Sequence, residues 1–170
     1  EISLVNIIPA VSNSNQGIEA LTFVPDEYHS YGTSFTGGLF YVGVQENGKI
    51  YVVDADFDSG TAIVVDSFFP VVGRRDLAGL HFDTQTETLY VLYDGANKLR
   101  KIKTDNTFIE EYSAAGNSQE GITLIPSCGE TQLFIAEDHG RVMRYDGFPI
   151  TCVVEGCTDS TALNYNSEAN

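Results

Sequence analysis

Four acidic side chains recur at matching positions of a repeated sequence pattern, and they have the clearest chemical potential in the chain. Glu19 and Glu120 stand near the start of one kind of apolar segment, and Asp94 and Asp138 directly follow another kind. Carboxylate oxygens are preferred ligands of Ca²⁺ in proteins. The pattern therefore predicts calcium binding by these four acids. The alternative is that they cap strand ends and accept backbone N–H groups of a neighbouring segment.

A second acidic group lies in residues 54–60, with the sequence DADFDSG. Asp54, Asp56 and Asp58 alternate ahead of a glycine, so three carboxylates fall on one side of a tight turn, as at the start of an EF-hand loop. The closing Glu of such a loop is absent, because Asp66 stands in its place. We expect either a calcium loop or a surface turn without metal.

Hydrolysis is a further possibility, and it centres on His139. This histidine follows Glu137 and Asp138 in a turn. A metal-activated or histidine-assisted hydrolase would use His139 as general base, and Glu120 is the second candidate catalytic residue of this alternative. The sequence contains no G-x-S-x-G motif, and the spacing of its residues suggests no Ser-His-Asp triad.

Short β-rich segments separated by turn residues fill residues 1–150, and they predict an all-β domain. Three copies of one unit cover about residues 17–70, 76–115 and 119–147. Phe40-Tyr41-Val42 aligns with Leu89-Tyr90-Val91 and with Leu133-Phe134-Ile135. Repeats of roughly 40–50 residues with four strands each are typical of β-propeller blades. The four acids would then converge towards the propeller axis.

Three blades do not close a ring, because propellers use about 4–8 of them. We expect half of a six-bladed ring, or an arc built into a larger assembly. The third unit lacks its fourth strand, and residues 1–8 (EISLVNII) predict an unpaired strand that completes a blade in trans or belongs to a preceding unit. An open edge strand favours pairing. The expected partner is another copy of the chain or further blades of the same protein.

Composition limits the possible partners. The 170 residues carry 24 Asp and Glu against 9 Lys and Arg, a formal charge of −15 that repels nucleic acids and anionic membranes and attracts cations. No apolar run approaches the roughly 20 residues of a membrane span, so we expect no insertion. The chain begins at Glu1 without a signal peptide, as in a mature or excised segment.

Three cysteines, Cys128, Cys152 and Cys157, favour disulfides and an oxidising compartment. Because no CxxC spacing or histidine cluster is present, zinc is disfavoured. The odd count leaves one cysteine free or paired outside the segment. Cys152 and Cys157 lie in residues 151–170, which we predict to be an irregular tail separate from the blades.

The blade sequences GIEALTF, DLAGLHFD and QEGITLIP, with their following LYV-type strands, resemble those of phytase-like and SdiA-regulated β-propellers. The resemblance covers residues 17–147. It implies carboxylates that hold Ca²⁺ at the mouth of a central channel, at positions matched here by Glu19, Glu120, Asp94 and Asp138. The chain departs from that pattern at Ala78 and Gln45.

The tail sequence GCTDSTALNYNSEAN is similar to a short Cys-bounded repeat of large secreted proteins of marine bacteria and algae. The resemblance implies that Cys157 pairs with a cysteine beyond Asn170, and that Cys128 and Cys152 form an internal pair. It also implies a longer secreted chain.

Together these observations predict an extracellular, calcium-binding β-propeller module. It would act as an interaction or structural part of a larger secreted or cell-surface protein or assembly. The competing hypothesis is a metal-dependent phosphoesterase or esterase-like hydrolase of the phytase-like propeller group.

Overall fold

The computed structural model describes residues 2–4, 7–12, 16–32, 35, 37–127, 131–150, 160–161 and 163–166. This part of the chain contains eleven β-strands and one short 3₁₀ helix, Asp26–Tyr28. The strands are β1 (Ile18–Pro25), β2 (Gly38–Val44), β3 (Lys49–Asp56), β4 (Thr61–Phe68), β5 (Leu77–Asp83), β6 (Thr88–Tyr93), β7 (Lys98–Ile102), β8 (Phe108–Ser113), β9 (Gln119–Ile125), β10 (Gln132–Glu137) and β11 (Arg141–Asp146).

The strands form three antiparallel sheets in which each strand pairs with the next one in sequence. Blade 1 has the order β1-β2-β3-β4, blade 2 has β5-β6-β7-β8, and blade 3 has β9-β10-β11 in the described residues. The first strands of the blades lie side by side, β1 against β5 and β5 against β9. Successive sheets that pack through their first strands are propeller blades. The all-β, three-blade prediction is confirmed.

Turn chemistry sets the blade register. The hairpin between the second and third strand of each blade contains a residue in the left-handed region: Gly48 at φ 69°, Asn97 at φ 48° and Gly140 at φ 74°. Glycine and asparagine adopt this conformation at little cost. Because the side-chain period of a strand is two, a fixed turn also fixes which residues face each neighbouring blade.

Each blade has two faces, which we name by their neighbours. The leading face of a blade turns towards the preceding blade, and the trailing face turns towards the following one. Blade 1 and blade 2 meet in an apolar core, and its members include Tyr41 and Ile50 on the trailing face of blade 1 and Leu89 and Val91 on the leading face of blade 2.

Blades 2 and 3 meet in a second core built from the corresponding positions. Tyr90, Leu92 and Leu99 of the trailing face of blade 2 pack with Leu133 and Ile135 of blade 3. Burial of such side chains stabilises each by about 1.5–3 kcal/mol relative to exposure. The blades are therefore held together by repeated apolar junctions.

The leading face of blade 1 packs against the N-terminal segment. In this segment, residues 2–4 and 7–12, Leu4, Ile8 and Val11 cover a core of residues that includes Val42 and Val44. In the single chain the described positions of residues 1–8 form no strand, and the pairing of this segment in trans or with a preceding unit stays a prediction. The N–H groups of Ile7 and Ile8 both donate to the carbonyl of Leu4, so the chain turns there.

In the described residues no helix has the length and apolar character that a membrane span requires.

Candidate functional site

The two predicted glutamates lie at β-bulges. In the pairing of β1 with β2, Ile18 is opposite Val44 and Ala20 is opposite Gly43, so Glu19 has no partner. Blade 3 repeats this arrangement, and Glu120 is its unpaired residue. A bulge redirects the extra side chain and often lies beside a functional site. The corresponding bulge residue of blade 2 is Ala78, so the middle blade contributes no carboxylate there.

The residues that follow the second strand of each blade lie at the same end as the bulges. The N–H groups of Gln45, Asp94 and Asp138 donate to carbonyls just before the first strand of their own blade, at 2.9, 3.0 and 3.0 Å. The acceptors are the carbonyls of Gly17, Asp76 and Ser118. The sequence alignment of Gln45 with Asp94 and Asp138 therefore reflects one repeated backbone interaction.

The carboxylates at this end of the blades act electrostatically on Glu120. Partial burial of Glu120 raises the pKa of its carboxyl group, and the charges of Asp138, Asp94, Glu19 and Asp76 raise it further. Like charges that face each other disfavour the ionised form. All four predicted acids thus contribute to one region, which we call the axial acid cluster: Glu19, Asp76, Asp94, Glu120 and Asp138.

Asp76 is the member of this cluster that the sequence analysis missed. It precedes β5 in the left-handed region at φ 65°, and the corresponding positions in blades 1 and 3 are Gly17 and Ser118. Because the repeat carries no acid there in the other blades, alignment gives no signal for it. Its carboxylate accepts a hydrogen bond from the side-chain amide of Gln45 at 3.0 Å, which connects blade 1 to blade 2.

Asp94 has a structural interaction of the kind that the alternative prediction described. Its carboxylate accepts the N–H of Gln119, the first residue of the following blade, at 2.8 Å. Asp138 holds the corresponding position at the end of β10, and it is exposed. The two positions therefore differ in their neighbours, because a further blade lies next to Asp94 in the arc and blade 3 is the last of the three.

The axial acid cluster fits calcium in the chemistry of its donors, since Ca²⁺ takes carboxylate, carbonyl and water oxygens. In spacing it does not form a closed cage: across the described part of the chain, no group of three or more His, Cys, Asp or Glu side chains is close enough to hold one metal ion. Any ion bound here would keep several ligands that are water or backbone carbonyls.

The acidic loop at residues 54–60 forms a turn between β3 and β4. The carboxylate of Asp56 accepts the N–H groups of Asp58 and Ser59 at 2.9 and 3.1 Å. Hydrogen bonds from Ser59 hold the pKa of the Asp56 carboxyl group below its usual range. This is how an aspartate stabilises a tight turn. Calcium binding by Asp54, Asp56 and Asp58 stays a prediction.

His139 lies exposed in the turn between β10 and β11. Among the described contacts none joins His139 to Glu120. The hydrolase alternative also stays a prediction. Cys128, Cys152 and Cys157, and with them the predicted disulfides, fall outside the described residues.

No protein-family model matches the chain. No curated protein sequence matches it. Several solved structures share part of its shape. Virginiamycin B lyase from Staphylococcus aureus matches with a TM-score of 0.45 and 17% identity, over 79% of this chain and 42% of that one.

The β-propeller domain of Cps50 (Swd1) from Myceliophteria thermophila matches with a TM-score of 0.46 and 12% identity, over 93% of this chain and 43% of that one. A streptogramin B lyase matches with a TM-score of 0.41 and 21% identity, over 74% of this chain and 44% of that one. The chain spans less than half of the length of each of these structures. These TM-scores and sequence identities are low. The assignment of the blade architecture therefore rests on the strand order and packing described above.

Proposed function

We propose that this chain is an extracellular, calcium-binding β-propeller module that serves as an interaction or structural part of a larger secreted or cell-surface protein or assembly. The observation that carries the proposal is the axial acid cluster. The pKa of Glu120 is raised by its burial and by acids from all three blades. A bound cation would relieve this repulsion, and the formal charge of −15 favours cation binding in general.

Calcium suits the site better than magnesium. Ca²⁺ accepts irregular sets of six to eight oxygens, whereas Mg²⁺ requires near-octahedral geometry and releases its water reluctantly. Since no three acids of the described chain are close enough to share one ion, Glu120 with at most one neighbouring acid would supply the carboxylate oxygens. Asp94 and Asp76 also hold hydrogen bonds between blades. Since the cluster does not close into a cage, we expect a dissociation constant of about 10⁻⁴–10⁻³ M, the range of extracellular modules.

The extracellular location rests on the tail and on the cysteines. The tail is similar to a repeat of secreted proteins, and a weak affinity of this kind is useful where calcium is abundant. The module role rests on the blade junctions. Each blade buries apolar residues against the next, and a three-blade arc has further junction surfaces at its two ends.

The test is a calorimetric titration of the whole chain with CaCl₂ and, separately, with MgCl₂. We expect calcium binding that Glu120→Gln weakens at least about tenfold, because the substitution removes a ligand charge. Asp58→Asn tests the acidic loop separately. Glu87→Gln at an exposed turn is the matched control and should leave the affinity unchanged. Absence of binding, or binding that only Asp58→Asn weakens, would refute calcium binding by the axial acid cluster.

A further inference from the structure

We propose that the trailing face of blade 3 binds the leading face of blade 1 from a second copy of this chain. This inference rests on the proposed function as a blade module, and it names the partner. A closed pair of copies would contain six blades. The inference stands on the positions of the exposed side chains and does not depend on calcium.

The trailing face of blade 3 carries the residues that the other blades bury. Phe134, Ala136 and Val142 correspond to Tyr90, Leu92 and Leu99 of blade 2. In blade 2 these three side chains lie in the core shared with blade 3. In blade 3 the side chain of Val142 is 70% exposed, and Ile125 on the same face is also exposed. The face continues an interface that the molecule already forms twice.

The leading face of blade 1 is the complementary surface. Leu21 and Phe23 correspond to Leu80 and Phe82, which lie in the core between blades 1 and 2. In blade 1 both side chains are exposed, Leu21 by 58%. One chain therefore carries both halves of a blade junction at opposite ends of its arc. A head-to-tail pair of copies would match each half with the other.

The polar part of the junction is repeated in the same way. Between blades 2 and 3 the Asp94 carboxylate accepts the N–H of Gln119 at 2.8 Å. Asp138 is the corresponding acid of blade 3, and the corresponding donor at the start of blade 1 is the N–H of Ile18. Both residues are exposed in the single chain. A second copy would bring this donor to this acceptor.

The N-terminal segment competes with the second copy. Ile8 is buried against the part of the leading face that contains Val42 and Val44. Ser12 fastens the segment further, because its N–H and hydroxyl groups donate to the carboxylate of Glu46. A docking copy must displace this segment. The association of the unaltered chain should therefore be weak, and a loosened segment should strengthen it.

The experiment is sedimentation velocity of the whole chain over a range of concentrations, in EGTA and at high ionic strength so that the negative charges are screened. We expect a concentration-dependent species of two copies. Val142→Asp and Leu21→Asp should each raise its dissociation constant at least about tenfold, since each places a charge in an apolar contact. Val72→Asp, at a connector valine that is also exposed, is the matched control and should change nothing.

Ile8→Asp should lower the dissociation constant at least about tenfold by releasing the segment. If that variant does not fold, as judged by circular dichroism, Glu46→Ala releases the same segment by removing the acceptor for Ser12. A gain of affinity in either variant is the result that a head-to-tail pair requires, because the segment covers the leading face and not the trailing face.

Three results would overturn the inference. They are a monomer at all concentrations even with a loosened segment, a pair that Val142→Asp weakens but Leu21→Asp does not, and a ladder of species larger than two copies. Because the measurement is made in EGTA, failure of the calcium titration leaves it unaffected. A monomer that still binds calcium would refute the pairing and not the calcium site.

Discussion

The trailing faces of blades 2 and 3 are built from corresponding positions, but one face is buried and the other is exposed. Leu99 of blade 2 is 1% exposed because blade 3 covers it, whereas the corresponding Val142 is 70% exposed. Asp94 of blade 2 accepts a backbone N–H of the next blade, and the corresponding Asp138 is exposed. The difference shows that blade sequence specifies a junction surface, while burial depends on whether a following blade is present.

The largest expected effect separates the buried from the exposed apolar position. Leu99→Ala should lower the free energy of unfolding by about 2–5 kcal/mol, because it leaves a cavity in the core between blades 2 and 3. Val142→Ala should change it by less than about 0.5 kcal/mol, as exposed substitutions do. Urea denaturation at a low protein concentration measures both. Equal losses in the two variants would mean that the trailing face of blade 3 is already covered within a single chain.

The second prediction makes the same comparison for the polar position. Asp94→Ala removes the acceptor of the Gln119 N–H and should cost about 1–2 kcal/mol, since a partly buried donor loses its partner. Asp138→Ala should be close to neutral in the single chain. The readout is again the urea midpoint. If the two alanine variants unfold at the same urea concentration, the hydrogen bond between blades does not contribute to stability.

The smallest effect concerns Glu120 and its dependence on pH. The carboxyl pKa of Glu120 lies above its ordinary value of 4.5, so the folded chain binds this proton more tightly than the unfolded chain. Stability therefore falls as pH rises from that ordinary value through the raised pKa. Without calcium, Glu120→Gln should stabilise the chain at neutral pH by a few tenths of a kcal/mol, the scale of exposed charge interactions.

Thermal melts of the wild-type chain and of Glu120→Gln across this pH range measure the difference. The gain should vanish at pH values well below 4.5, where the wild-type carboxyl group is protonated in both states. A Glu120→Gln variant that is less stable than wild type at neutral pH would show that the carboxylate is held by favourable contacts rather than by repulsion.

The blade strands could be predicted from sequence because their determinants are local. Short β-rich apolar runs and left-handed turn positions such as Gly48 and Asn97 define both the strands and the register. The repeat also identified Glu19 and Glu120 as equivalent before their bulges were known. For the strands, their register and the equivalence of Glu19 and Glu120, the sequence pattern and the structure agree.

The features that sequence could not predict depend on packing between distant segments. Residues 1–8 have a β-rich composition, yet Leu4 and Ile8 cover a blade face instead of pairing in a sheet. Strand composition does not reveal whether a pairing partner is available. Asp76 could not be predicted for a related reason. It belongs to the axial acid cluster because blade 2 packs beside its neighbours, and the corresponding positions of the repeat are not acidic.

Hydrogen exchange by mass spectrometry, with and without calcium, tests the central claim most directly, because it shows where the ion binds. The account predicts that calcium slows amide exchange at the bulges of β1 and β9, around Glu19 and Glu120, whether or not the acidic loop at residues 54–60 also responds. Protection confined to that loop, or no protection in any part of the blades, would contradict a calcium site formed by the axial acid cluster.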